Sequence, residues 1–469
     1  MDEQQNTPQQ PNPRRRPRRS QMQIIKEDYL PVVIGGLAIL LALVFIIGAI
    51  VRGVQGTRYR KLVAEQEAFA SQQAQEAMDT EAAQLYSDAQ LLASQFDYQG
   101  AMELLDGFSG NLNDYPELAD LYSSCEISSE KLVLWSDPGD ILSLTFHVLI
   151  ADPERAFVDA TYGTSYNRNF LTTGEFQKIL QQLYENEYIL VSLEDLTTGS
   201  ELLPLYLPEG KKPLLLTQTN VNYYTYMVDG DGDKLPDRQG AGFASRMILD
   251  DNGNITCEMV DAQGDLVTGA FDMVPILESF IETHPDFSYK GARAVVAVTG
   301  YDGILGYRTS AAAREFFGED VWSNEVAQAE AVIAELKRLG YELGCYTYAN
   351  ESYSTYSAGQ VSDDLVKWNS EVTPILGETD IFVFPRNSDL AGSGVAYDDE
   401  RFDLIYSYGF THYLGFSNTT ENWNFCEGEY FRQSRILVSG SVLAHHGAWF
   451  DGILDAAVIL DPARGEVPA

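Results

Sequence analysis

From about position 142 onward, apolar residues recur in two alternating periods. Seven short runs read as strands with both faces buried: 144–151 (LTFHVLIA), 188–193 (YILVSL), 213–217 (PLLLT), 292–299 (ARAVVAVT), 341–348 (YELGCYTY), 379–385 (TDIFVFP) and 411–417 (THYLGFS). Between them the period lengthens to that of a helix. Thr172 and Glu175 have capping-box spacing, and Phe176, Ile179, Leu180, Leu183 and Tyr184 then share one face. Further helices are predicted at 273–282, 324–339, 362–376 and 401–408, with Gly340 just past the end of the second. Segment 246–260 reads as a hairpin turning at Asn252-Gly253. Repeated strand–helix units predict an α/β class with a parallel sheet, and about seven of them predict a (β/α) barrel over 136–469.

The first third of the chain is patterned differently. Residues 54–135 are rich in Ala, Gln, Glu and Leu and predict a helical stalk. Within it, Phe96, Tyr98, Ala101 and Leu105 have the spacing of one tetratricopeptide-type hairpin. A single such repeat packs on itself or on a neighbour. Ahead of it, 32–51 is a 20-residue run without a charge, long enough to cross a bilayer as a helix. The span is set at 29–53, and 1–28 is a disordered basic tail. Arg14, Arg15, Arg16, Arg18, Arg19 and Lys26 before the run place the N-terminus in the cytoplasm and the bulk of the chain outside the cell.

Charge supports that division. The 469 residues carry 31 basic and 69 acidic side chains, a net of −38. Residues 1–61 hold ten Lys/Arg and four Asp/Glu, leaving 21 and 65, or −44, for the rest. So acidic a body is expected to repel nucleic acid. Cys125, Cys257, Cys345 and Cys426 are too scattered for a zinc framework, and their pairing is open.

Candidate chemistry sits at the strand ends, where α/β folds place ligands. The run 213–217 ends in Thr217, Gln218, Thr219 and Asn220, followed by Tyr223, Tyr224 and Tyr226. Several stretches, in this order, carry a likeness: FHVLIADPERAF (146–157), the strand with VNYY (214–224), HPDFSYKGARAVVAVTGYDGILGYRT (284–309), RLGYELGCYTYAN (338–350), TDIFVFPRNSD (379–389) and YFRQSRILVSG (430–440). From about Asp137 to the C-terminus the chain resembles the polysaccharide deacetylase family, the NodB-homology domain. The resemblance implies a distorted barrel that removes acetyl groups from N-acetylated sugars with a divalent metal, held by an Asp and two His, beside a base Asp.

Those ionic groups are replaced here. Thr219 falls on the base position and Asn220 on the metal Asp. Tyr346 and Asn350 fall on the two histidines, and Pro385-Arg386 on a third loop. Amides and a phenol are poor substitutes for carboxylate and imidazole at a transition metal, and a threonine hydroxyl is no base near neutral pH. The expected catalytic set is therefore none, with Thr219, Asn220, Tyr346 and Asn350 vestigial. Gln218, Asn220, Tyr346, Asn350 and Arg386 are the candidate ligand-binding residues, and no cofactor is expected at that site. Among five histidines, His147 on the first strand is the one placed to point into the barrel. Separately, Asp229, Asp231, Asp233 and Asp237 have the spacing of a calcium loop, without the usual Gly and Glu at its later positions.

The reading is a single-pass membrane protein with a deacetylase-like extracellular domain that binds a cell-envelope glycan or protein without catalysing. Two others stand beside it: a divergent active carbohydrate deacetylase using Gln218, Asn220 and His147, and an assembly protein working through its helical hairpin.

Overall fold

The computed structural model describes residues 35–43, 56–386, 388–416 and 422–469. The predicted tail, 1–28, and most of the predicted span, 29–53, lie outside them; 35–43 are helical. Among the described residues no helix is long and apolar enough to cross a membrane. The chain divides into two compact units, 1–93 with 98–127, and 94–97 with 128–469.

In the first unit α1 (Gly56–Ser94) is followed by α2 (Tyr98–Asp106) and α3 (Pro116–Ser129). Gln72, Gln75 and Gln84 each bond an acid four residues on, at 2.8–2.9 Å, as their spacing on a helix allows. Ala82, Leu85, Ala89, Ala101, Leu104, Leu105, Leu118 and Cys125 bury one cluster, so the three helices pack on themselves. Phe96, expected in that hairpin, belongs instead to the second unit and packs on a cluster there. Its backbone is left-handed (φ 61°), which turns the chain out of the helix.

The second unit is a mixed α/β fold around one curled sheet. Its strands are β1 (Leu142–Phe146), β2 (Tyr188–Leu190), β3 (Lys212–Thr219), then β4 (Arg246–Leu249), β5 (Ile255–Val260) and β6 (Leu266–Gly269) in a separate antiparallel sheet. The main sheet continues with β7 (Val295–Val298), β8 (Glu342–Cys345), β9 (Ile381–Val383), β10 (His412–Leu414), β11 (Asn424–Glu427), β12 (Tyr430–Gln433) and β13 (Ile436–Leu437). Its order is β11-β12-β10-β9-β8-β7-β3-β1-β13, with β2 also on β3. Every pair is parallel except β11–β12. The segment 430–437 bonds β10 through its first half and β1 through its second, bending at Ser434 and Arg435. It therefore touches both ends of the parallel run.

Alternation along the strands sorts side chains into two cores. On β3, Leu214 and Leu216 join the large cluster beneath the helices, whereas Leu215 joins Ile189, Val295, Ile381 and Leu414 inside the curl. Burial on both faces explains the unbroken apolar run of the sequence. Outside lie α4 (Thr173–Glu185), α5 (Met273–Thr283), α6 (Glu319–Leu339), α7 (Ala358–Lys367) and α8 (Glu400–Ser407). The capping box at α4 is present: Glu175 N donates to Thr172 Oγ1 at 3.1 Å, and Thr172 N to Glu175 Oε2 at 2.8 Å.

Several boundaries depart from expectation. Most strands stop two to five residues before the apolar run does. Past the strand ends the chain turns through left-handed residues: Asn220 (φ 61°), Thr347 (59°), Asn350 (56°) and Arg386 (54°). The helix expected at 362–376 opens earlier, on a Ser357–Gln360 capping box, and is interrupted by a wider turn at Trp368–Val372. Strand β6 has no buried position, so its sequence carries no apolar alternation that would predict it.

Candidate functional site

The left-handed strand ends converge on one cavity of about 230 Å³, lined by His147, Asn220, Tyr346, Asn350, Arg386 and Leu437, with Asn169 beside them. Strain of this kind persists where surrounding structure over-determines it, and it collects at ligand sites. Of the candidate positions, Asn220, Tyr346, Asn350 and Arg386 face this cavity. Thr219 lies behind its wall, buried, with Oγ1 2.8 Å from His147 Nδ1 and 3.2 Å from the Phe146 carbonyl oxygen.

Gln218 does not reach the cavity. Side chains alternate along β3, so with Thr219 inward Gln218 points into the helix layer. There it is fully buried and donates to Asp272 Oδ1 at 2.6 Å. Asp272 also accepts from Leu149 N at 2.9 Å and from the Tyr223 hydroxyl. Burial, only partly offset by these donors, pushes its carboxyl up to about 6.

The cavity wall is a chain of neutral groups. Tyr346 hydrogen-bonds Thr219. Thr219 meets His147, and His147 Nδ1 lies 3.4 Å from Asn220 Nδ2. Asn220 Oδ1 accepts from the Tyr224 hydroxyl at 3.0 Å, which lies 2.8 Å from Thr299 Oγ1. Burial, reinforced by the Arg435 charge, lowers His147 to about 4, so its imidazole is neutral at pH 7. Burial raises the Tyr346 phenol, against the pull of Arg435. At the rim, Arg386 Nε donates to the Asn350 carbonyl at 2.8 Å, and its Nη2 meets Glu351 at 3.3 Å.

This set is badly suited to the metal that the family resemblance implies. Among the described residues the lining offers one imidazole, amides and a phenol, and no carboxylate. A catalytic zinc site needs three strong protein donors. An imidazole titrating near 4 is also a weak general base. What the cavity supplies is hydrogen-bonding capacity and shape.

The aromatics flanking the strand ends divide in two. Tyr348 bonds Glu371 at 2.9 Å and Tyr353 bonds Asp364 at 2.7 Å; both are buried structural side chains. Tyr224, by contrast, stacks with Tyr301 (centroids 5.0 Å apart) and with Tyr226 (5.7 Å), whose rings are 38% and 45% exposed. A polar-tipped aromatic shelf thus continues from Asn220 to the surface.

In the acidic loop, carboxylate oxygens of Asp229, Asp231 and Asp237 lie within 4.8 Å of one another, while Asp233 stands outside that group. Asp229 accepts from Gly232 N at 2.6 Å and Lys234 N at 2.7 Å; Asp237 accepts from Gln239 N at 2.6 Å and Gly240 N at 2.9 Å. These bonds shape the loop by themselves. All four cysteines are free thiols.

Asn169, Leu437 and Arg435 carry no signal in the sequence that ties them to this site. They reach it from segments far apart along the chain. His147 did carry one, its place on the first predicted strand.

No family model matches this chain, and no curated protein matches it. A solved structure, Streptococcus pyogenes deacetylase PplD in complex with acetate, aligns with 66% of this chain and 98% of its own. The identity is 13% and the TM-score 0.35.

Proposed function

We propose that this chain is a membrane-anchored envelope protein whose deacetylase-like α/β unit binds a glycan without cleaving it. The anchor is the uncharged run 32–51 behind its arginine-rich tail, which leaves the acidic body outside the cell. One observation carries the binding reading: Asn220, Tyr346, Asn350 and Arg386, drawn from three strand ends, meet in one cavity and bring hydrogen-bonding groups but no base. The exposed Tyr226 and Tyr301 beside it offer faces on which sugar rings stack.

The test is to mix the purified full chain with N-acetylated cell-wall glycans and follow both retention and acetate release. Retention without acetate is expected, weakened about tenfold by Asn220→Ala, the loss of roughly one good hydrogen bond. Acetate release that disappears in Asn220→Ala would instead establish the divergent active deacetylase. Neither retention nor release across the panel would remove both.

A further inference from the structure

Five arginines of the second unit are buried: Arg293, Arg308, Arg432, Arg435 and Arg464. Four face a carboxylate within 4 Å, namely Glu278, Asp302, Asp389 and Glu175 respectively. That is the general rule, since burying a guanidinium is costly unless an opposite charge offsets it. Arg435 departs from the rule: among the described residues no carboxylate pairs with it. Its donors go to neutral acceptors instead, Gly415 O at 2.9 Å, Phe384 O at 2.9 Å and Thr145 Oγ1 at 3.1 Å. Burial holds it down to about 10, and the carboxylate whose charge acts on it, Asp389, is already engaged by Arg432 at 2.8 Å.

Arg435 is buried and two residues from the lining Leu437, and its charge acts on two of the lining side chains, His147 and Tyr346. At the opposite rim stands Arg386, 57% exposed and satisfied by Glu351. The lining itself brings no carboxylate among the described residues. In a chain of net charge −38, this small cavity therefore lies in the field of one positive charge that, among the described residues, no carboxylate within 4 Å pairs. Asn169, Asn220, Asn350 and Tyr346 add donors around it.

Building on the glycan-binding reading, we infer that the group seated in this cavity is a carboxylate borne by an acidic sugar, whose single negative charge offsets that of Arg435, which no described carboxylate pairs. The charge count favours a carboxylate over a phosphate monoester, which carries about −1.5 to −2 at neutral pH. The cavity volume, about 230 Å³, is below the roughly 300–1,000 Å³ of drug-sized sites, which suits one terminal residue rather than a polymer segment.

The experiment is calorimetric titration of the purified full chain with galacturonate trisaccharide and with its neutral methyl ester. The acid is expected to bind at least about tenfold more tightly. Raising salt from about 0.05 M to about 0.5 M is expected to shrink that ratio, because screening weakens charge attraction. Arg386→Gln reduces the preference several-fold. Arg435→Lys preserves it, and Arg435→Met abolishes it. Should Arg435→Met fail to fold, the acid/ester ratio of the unaltered chain decides alone. Equal affinity for acid and ester overturns the inference and leaves glycan binding standing. Absence of binding to either overturns both. Tighter binding of a sugar phosphate than of the acid overturns the choice of carboxylate. Acetate binding as well as the trisaccharide does overturns the sugar as its bearer.

Discussion

Glu342 opens β8 with its carboxyl enclosed, accepting one bond from Leu193 N at 3.1 Å. Burial, with Glu194, Asp195 and Asp380 adding repulsion, pushes it up to about 8 from an ordinary 4.5. The native state thus keeps a proton that the unfolded chain releases above pH 4.5. Its contribution to stability is complete below that pH and is lost as pH rises through 8. Glu342→Gln keeps size and hydrogen bond without the charge. The variant is expected to melt with the unaltered chain at about pH 5 and to be more stable at about pH 9, by up to a few kcal/mol. Equal melting temperatures at both pH values would show that the carboxyl is hydrated. His147 works in the opposite sense: held near 4, it favours the folded state above its unfolded value of 6.5, and this is lost as pH falls through 4. Residue-scale logic also explains Gln218. Once Thr219 points inward, strand alternation sends its neighbour outward, so this correction was implicit in the spacing itself.

At the scale of elements, the apolar runs announced seven of the parallel strands but not β12 and β13, and the Thr172–Glu175 spacing announced α4 and its cap. Their ends were less legible. A run such as 341–348 stays apolar past the last ladder bond because the residues beyond it are buried too, in turns rather than in a strand. These turns are held by side chains. Asn222 Nδ2 donates to Thr299 O at 2.7 Å and to Gly303 O, and its Oδ1 accepts from Thr299 N at 3.0 Å. Gly303 is needed there: at φ 88°, an added Cβ would meet the Tyr307 carbonyl oxygen at 1.9 Å. Three buried bonds lost at once predict that Asn222→Ala lowers unfolding stability by about 3 kcal/mol, against about 1 kcal/mol for removing the Thr172 cap with Thr172→Ala. Urea midpoints give the comparison. Equal shifts would mean that segment 299–303 holds its shape without Asn222.

For the molecule as a whole, charge is the dominant fact. With a net of −38, self-repulsion opposes the compact state and salt relieves it. The melting temperature is expected to rise as NaCl increases from about 0.01 M to about 0.15 M, as the screening length shrinks from roughly 30 to 8 Å. A falling melting temperature would mean that ion pairs such as Arg246 with Glu258 and Glu325 outweigh the repulsion. The same sign of charge argues against nucleic acid as a partner. It also sharpens the contrast with Arg435 beside the cavity, which no carboxylate pairs among the described residues.

Composition and periodicity alone set the class of the fold, the acidic body, the uncharged run near the N-terminus and the strand ends at which a site forms. Asn220, Tyr346, Asn350 and Arg386 were picked out together by the family resemblance, whose motif positions they occupy. Only the tertiary structure joined these to Asn169, His147, Arg435 and Leu437 and showed which buried arginine has no carboxylate partner among the described residues. Periodicity reports which face of an element is covered; it holds no information on which distant segment covers it. That is decided when the sheet curls and brings residue 147 and residue 435 to the same wall.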